Sequence, residues 1–299
     1  MAVVILPFHD ETGLADVLAS ALGAARGELE LRSFPDGESY LRIATEVRAA
    51  DVVIAGSLDR PDSKMLALYL VASTARDLGA RRVFLATPYL PYMRQDARFR
   101  HGESLSAVHV ARLLSTFLDG LVTLDPHLHR IARLDDVFSI PALAASAGEA
   151  IAAWIRQNVP DPVVIGPDVE SEQWVSRIAS IAACPFAVLS KTRRGDREVE
   201  IRIERQDVDP ARTPVLVDDI ISTARTMVMA VGALRASGTK APFCVGVHAL
   251  FGGDAHGDLL RAGAAAVVTC NAVAHISNGI DIRPEMAIAV ARLLAGFQS

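Results

Sequence analysis

The stretch Pro214-Val-Leu-Val-Asp-Asp-Ile-Ile-Ser-Thr-Ala-Arg-Thr226 carries the clearest chemistry in this chain. An apolar strand ends in two acids, Asp218 and Asp219, and a loop of small hydroxyl residues leads into a helix beginning near Ala224. Hydroxyls of Ser222, Thr223 and Thr226, with the outward amides around Ala224, make a nest for a phosphate group. The dipole of the helix favours the anion there. The paired acids suit the hydroxyls of a ribose, or Mg²⁺ through water. A helix capped by Ser222 or Thr223 is the plainer alternative. It leaves the two acids at the strand end unexplained.

Five other segments join it. Phe34 can stack on a base, and Asp36 and Glu38 can accept from an exocyclic amine, although Pro35-Asp-Gly37 reads equally well as a surface turn. Arg94 can fork onto phosphate oxygens, with Gln95 and Asp96 beside it; a solvated loop is the alternative. The segment Ala97–Ser104 reads as a basic turn, with Ser104 a candidate cap for the next helix. His127, two residues before His129, follows an apolar strand and Asp125, where an imidazole can hold a metal or a phosphate-bound ion. Lys191 and Arg193 precede Gly195-Asp196, and charge alone makes this a solvated hairpin turn.

The elements that must position these residues alternate. Strands are expected at Val3–Leu6, Asp51–Ala55, Arg82–Thr87, Leu121–Leu124, Val163–Gly166, Ala187–Ser190, Glu198–Ile203, Pro214–Val217, Phe243–Val247 and Ala266–Thr269. Helices are expected at Ser63–Leu78, Ser104–Leu118, Ala142–Gln157, Glu172–Ala182 and Ala224–Ala236. Such alternation predicts α/β architecture with right-handed βαβ units and mainly parallel sheets. The pattern occurs twice and breaks near Pro160 and Pro162. In such sheets ligands sit beyond the carboxyl ends of the strands.

The 299 residues are 51% hydrophobic, enough for two cored domains, and the net charge of −5 argues against a nucleic-acid backbone as main partner. Cys184, Cys244 and Cys270 lack zinc-site spacing and read as buried thiols of a reducing compartment. The first residues read as a strand rather than a signal peptide, and no run is long enough for a membrane span. A soluble cytoplasmic protein is expected.

Five motifs in order resemble the phosphoribosyl pyrophosphate synthetase (ribose-phosphate diphosphokinase) family, of phosphoribosyltransferase-type fold, over nearly the whole chain. They are Phe34-Pro-Asp-Gly-Glu38, Pro88-Tyr-Leu-Pro-Tyr-Met-Arg-Gln-Asp96, Asp125-Pro-His127, Lys191-Thr-Arg193 and the stretch 214–226. The resemblance implies two similar phosphoribosyltransferase-like domains, 1–142 on the ATP side and 143–284 on the ribose-phosphate side. A helical segment, 285–299, would return to the first. The active site would lie between the domains. The implied reaction moves the diphosphate of ATP to C1 of ribose 5-phosphate, releasing AMP. Lys191 and Arg193 would be catalytic. Phe34, Asp36, Glu38, Arg94, Gln95 and Asp96 would bind ATP. Asp218, Asp219, Ser222, Thr223, Ala224, Arg225 and Thr226 would bind the sugar phosphate. His127 and Asp168 would hold Mg²⁺. The segment Phe34–Glu38 would reach adenine across a subunit contact, which implies a homo-oligomer.

Two positions depart from the family pattern. Arg225 stands where Gly is usual in the phosphate loop, and Glu170 and Ser171 stand where a Gly-Gly pair usually offers amides to a diphosphate. These keep two alternatives open: a non-catalytic regulatory partner of a synthetase, or a phosphoribosyltransferase. AMP release with and without sugar separates the three.

Overall fold

A computed structural model describes residues 2–128, 130–194, 198–202 and 209–297, with the backbone alone within 190–194 and 198–202. His129, Gly195, Asp196 and Ile203 lie outside the described residues. Contacts divide the chain into one unit of Met1–Ser146 with Arg283–Ser299, and a second of Ala147–Ile282.

In chain order the first unit contains β1 (Val3–Pro7), α1 (Leu14–Leu22), β2 (Ala25–Arg26), β3 (Leu29–Ser33), β4 (Ser39–Ile43), β5 (Asp51–Ala55), α2 (Met65–Asp77), β6 (Arg82–Ala86), α3 (Ser106–Ser115), β7 (Gly120–Leu124) and β8 (Ala142–Ala145). The second contains α4 (Gly148–Asn158), β9 (Pro162–Gly166), α5 (Glu172–Ala182), β10 (Phe186–Val188), β11 (Ser190–Arg194), β12 (Glu198–Arg202), β13 (Thr213–Ile221), α6 (Arg225–Ala236), β14 (Phe243–Ala249), α7 (Ala255–Arg261), β15 (Ala266–Cys270) and β16 (Asn278–Ile280). The last helix, α8 (Arg283–Gly296), packs on α1, β7 and β8 of the first unit.

Each unit has a six-stranded parallel sheet, ordered β2-β1-β5-β6-β7-β8 in the first and β10-β9-β13-β14-β15-β16 in the second. The two orders are the same, and each unit inserts an antiparallel ribbon between its second and third sheet strands: β3–β4 and β11–β12. The expected pair of similar mainly parallel sheets is therefore present. Continuous apolar runs explain the parallel strands. All five residues of β5 and of β7 are buried, as strands covered on both faces require. Helix α5 shows the complementary pattern, burying Val175, Ile178, Ala179 and Ala182 along one stripe.

Away from the carboxyl edge, Asp51 opens β5 with a side chain 1% exposed. Its carboxylate accepts from Arg81 (3.0 and 2.6 Å) and Arg82 (2.9 and 2.7 Å), and Arg82 also donates to the carbonyl of Phe297. Burial works against the charge, but the two guanidinium groups hold Asp51 below the usual carboxylate range. This knot ties β5 and β6 to the segment after α8.

Several boundaries differ from expectation. The helix expected from Ala142 starts at Gly148, because Ala142–Ala145 pairs with Leu121–Leu124 as a sheet edge. Alanine's helix propensity is small beside a ladder of parallel hydrogen bonds. Ser104 caps nothing: α3 starts at Ser106 and has no side-chain cap. The strand expected at Ala187–Ser190 divides between β10 and β11. Strand β13 runs on through Asp218 and Asp219 to Ile221, because β14 pairs beside it as far as Ile221↔Ala249. Cys244 and Cys270 are buried, but Cys184 is only half-buried. Among the described residues no helix is long and apolar enough to cross a membrane.

Candidate active site

In the second unit the strand order reverses between β9 and β13, so a crevice opens beyond their carboxyl ends. Asp168 follows β9 there, and Asp218 and Asp219 lie near the end of β13. All three acids are half-buried. Burial, then repulsion from Asp219 and Asp168, pushes Asp218 well above the usual carboxylate range. The amide of Asp219 donates to Asp218 Oδ1 (3.1 Å). Gly246 lies opposite Asp218 in β14, and a Cβ there would come within 2.6 Å of Ile221. Its bareness leaves room for the Ile221 side chain at this point.

The loop from Ser222 leads to α6. Ala224 precedes the first helical residue with φ 55° and ψ 8°, and no side chain caps the helix. Neither Ser222 nor Thr223 is therefore its cap. Arg225, at the first helical position, is exposed; Thr223 is exposed and Thr226 half-buried. The unusual φ falls on Ala224, not on Arg225 where the sequence pattern lacks its glycine. A left-handed alanine is strained. Ala224→Gly should stabilise the protein by about 0.5–1 kcal/mol, read as a higher urea midpoint. An unchanged midpoint would show that the turn stores no strain.

The first unit handles the corresponding helix start differently. Lys64, just before α2, turns its ammonium back onto Asp59 (2.6 Å) and the carbonyl of Ser57 (3.0 Å), and is only 9% exposed. Its own cation fills the position that Ala224 leaves small. Burial and then Lys64 depress the pKa of nearby His9.

The other residues singled out by sequence divide by unit. Phe34 stands 41% exposed at the tip of β3–β4, where Phe34 N–H donates to Glu38 O (2.7 Å) and Gly37 N–H to Phe34 O (2.9 Å). Gly37 has φ 95°, which favours glycine. Asp36 Oδ1 accepts from the amide of Glu38 (3.2 Å). Arg32, which the sequence did not single out, lies over Phe34 (4.9 Å) and Tyr40 (3.9 Å). Cross-strand pairing of Arg32 with Tyr40 creates this ladder.

Arg94 is exposed, and Gln95 Nε2 donates to the carbonyl of Ala97 (3.0 Å). Asp96 is engaged by Arg130, a residue also missed in the sequence. His127 is half-buried two residues after Asp125, whose φ is 34°. In β11, Lys191 pairs with Ile201 and Arg193 with Val199; both side chains lie outside the described residues.

Comparison with known proteins decides the family. Residues 3–117 match the N-terminal domain of ribose phosphate pyrophosphokinase, and residues 134–283 match the phosphoribosyl transferase domain. The ribose-phosphate pyrophosphokinase of Methanopyrus kandleri is 34% identical over 97% of this chain and 99% of its own length. The chain belongs to the ribose-phosphate pyrophosphokinase family. The Methanobrevibacter smithii enzyme is 32% identical over 87% of this chain and 90% of its own length. The crystal structure of phosphoribosylpyrophosphate synthetase from Mycobacterium smegmatis superposes with a TM-score of 0.84 at 26% identity, covering 100% of this chain and 99% of that one.

Within this ribose-phosphate pyrophosphokinase fold, the turn after Asp168 closes on itself. The amide and hydroxyl of Ser171 both donate to the carbonyl of Asp168 (3.1 and 2.5 Å). A Cβ on Gly166 would sit 2.2 Å from Ser171 Oγ. The Ser171 amide is thus used within the turn, while Glu170 is exposed. A Gly-Gly turn would have no such hydroxyl and could offer its amides outward.

Proposed function

We propose that the protein transfers the diphosphate of ATP to C1 of ribose 5-phosphate, giving phosphoribosyl diphosphate and AMP. The carboxyl edge of β13 carries this reading: two acids, then hydroxyls and amides at a helix start with no side-chain cap. Asp218 and Asp219 receive ribose hydroxyls, and residues 222–226 receive the 5-phosphate. The C1 oxygen attacks the β-phosphorus, the bond from that phosphorus to the α–β bridging oxygen breaks, and AMP leaves with the bridging oxygen. The C1 hydroxyl proton passes to solvent. Lys191 and Arg193 meet the charge of the transferring group, and Arg94 grips ATP phosphates. Phe34, Asp36 and Glu38 hold adenine, with Gln95 on the same nucleotide.

Asp168, Asp218 and Asp219 offer hard oxygen donors, and their crowding raises the pKa of Asp218, a repulsion that a divalent cation would relieve. Among the described residues no three of His, Cys, Asp and Glu are grouped to hold a metal ion, so Mg²⁺ would take most of its ligands from phosphate and water. His127 and Asp168 are assigned to it. When bound, Mg²⁺ offsets the negative charge of the phosphates. By family resemblance the protein works in the cytoplasm as a homo-oligomer.

The test is AMP release from MgATP with and without ribose 5-phosphate. Sugar-dependent AMP is expected. A folded protein silent in both arms would instead be a regulatory partner, as the closed Ser171 turn favours. Turnover of phosphoribosyl diphosphate with a free base would make it a transferase.

A further inference from the structure

Asp96, assigned above to ATP, spends its carboxylate inside the first unit. Its side chain is 2% exposed. Oδ2 accepts from the backbone amide of Arg130 (2.9 Å) and Oδ1 from the Arg130 guanidinium (3.1 Å). The same guanidinium lies over the exposed ring of Phe99 (5.2 Å) and is half-exposed itself. Glu103 is also turned inward, its Oε2 accepting from the amides of Phe99 (2.8 Å) and Arg100 (2.9 Å). Glu103 thus braces the backbone of its own segment, while Asp96 spends its carboxylate on the neighbouring loop.

The two ends of the Asp96–Arg130 bond lie in loops after adjacent parallel strands, β6 and β7. One loop carries Arg94 and Gln95, the other His127. The charge-assisted pair ties both loops at once, and removing one partner would leave the buried acid uncompensated.

We infer that Arg130 is a positioning residue for the nucleotide, and that Asp96 acts through it as an internal latch rather than as a ligand of ATP. The latch sets the Arg94 loop against the His127 loop before MgATP arrives, so less ordering is left for binding. This rests on the reading that the protein uses MgATP.

Arg130→Ala should raise the KM for MgATP, and the Kd titrated calorimetrically without sugar, roughly tenfold. The kcat and the KM for ribose 5-phosphate should stay within about twofold. Asp96→Ala should reproduce the effect, and the double variant should be no worse than either single one. Both Arg130 variants keep the backbone amide bond to Asp96; Arg130→Lys, which also keeps a cation, should recover most of the affinity. If the alanine variant does not fold, Arg130→Gln carries the same expectation. A fall in kcat at unchanged KM, or additive effects of the two substitutions, overturns the latch. Because the titration needs no turnover, unsubstituted protein that binds MgATP without releasing AMP retires the reaction and still tests the latch. Unsubstituted protein that binds no MgATP overturns both.

Discussion

Lys191→Ala lowers kcat by roughly 10²–10³-fold, with the KM for ribose 5-phosphate within about twofold, if this cation meets charge that gathers in the transition state. Transfer of a diphosphate requires little covalent work from the protein, so placement of positive charge supplies most of the acceleration. Topology supports the choice of segment. Lys191 lies on the ribbon β11–β12, inserted where the first unit inserts β3–β4 with Phe34. Each unit therefore inserts a separate two-stranded ribbon at the same step of the chain, one tipped with an aromatic ring and the other carrying cations in its sequence. Arg193→Ala should act in the same direction, and the pair should be less than additive if both grip one group. Initial rates at saturating MgATP and sugar read the effect. A Lys191→Ala enzyme with normal kcat but weakened sugar binding would move the residue to ground-state binding.

Asp218→Asn should uncouple stability from activity. Folding raises the pKa of Asp218 through burial and the neighbouring Asp219 and Asp168. An acid raised in this way costs stability once pH exceeds its unfolded value, and the full cost applies above the raised value. The unliganded protein should therefore gain stability from this group as pH falls through the raised value toward its ordinary 3.8. An asparagine side chain does not titrate and has no such dependence. The variant should melt higher than the unsubstituted protein near neutral pH, and the gap should close in acid. Meanwhile kcat/KM for ribose 5-phosphate should drop by roughly 10²-fold, because a sugar hydroxyl loses a charged acceptor. Melting curves across pH for both proteins test the first part. Parallel curves would mean that Asp218 is not strained by its neighbours.

The same acid explains why an uncapped helix start and three carboxylates coexist in one crevice. Asp218 is crowded in the unliganded protein, and a ligand that brings phosphates, hydroxyls and a cation would suit the same crevice. The first unit shows the opposite choice. At its equivalent helix start Lys64 bonds back to Asp59 and Ser57, and the position is satisfied from within.

Much of this was determined by sequence alone. Continuous apolar runs specify buried parallel strands, because only strands covered on both faces tolerate them. Strand–helix alternation then leaves few topologies. Five motifs in order identified the family, and the acids and hydroxyls of 218–226 supply, by type and spacing, the sugar-phosphate site proposed above. Tertiary structure decided what local sequence cannot encode. Ala142–Ala145 is a strand only because β7 offers an edge. The strained φ belongs to Ala224, and Ser171 closes a turn, because backbone geometry depends on the strands and helices it joins. Arg130 meets Asp96, 34 residues away. Pairings of that kind arise when adjacent strands bring their loops together, and no periodicity in the chain announces them.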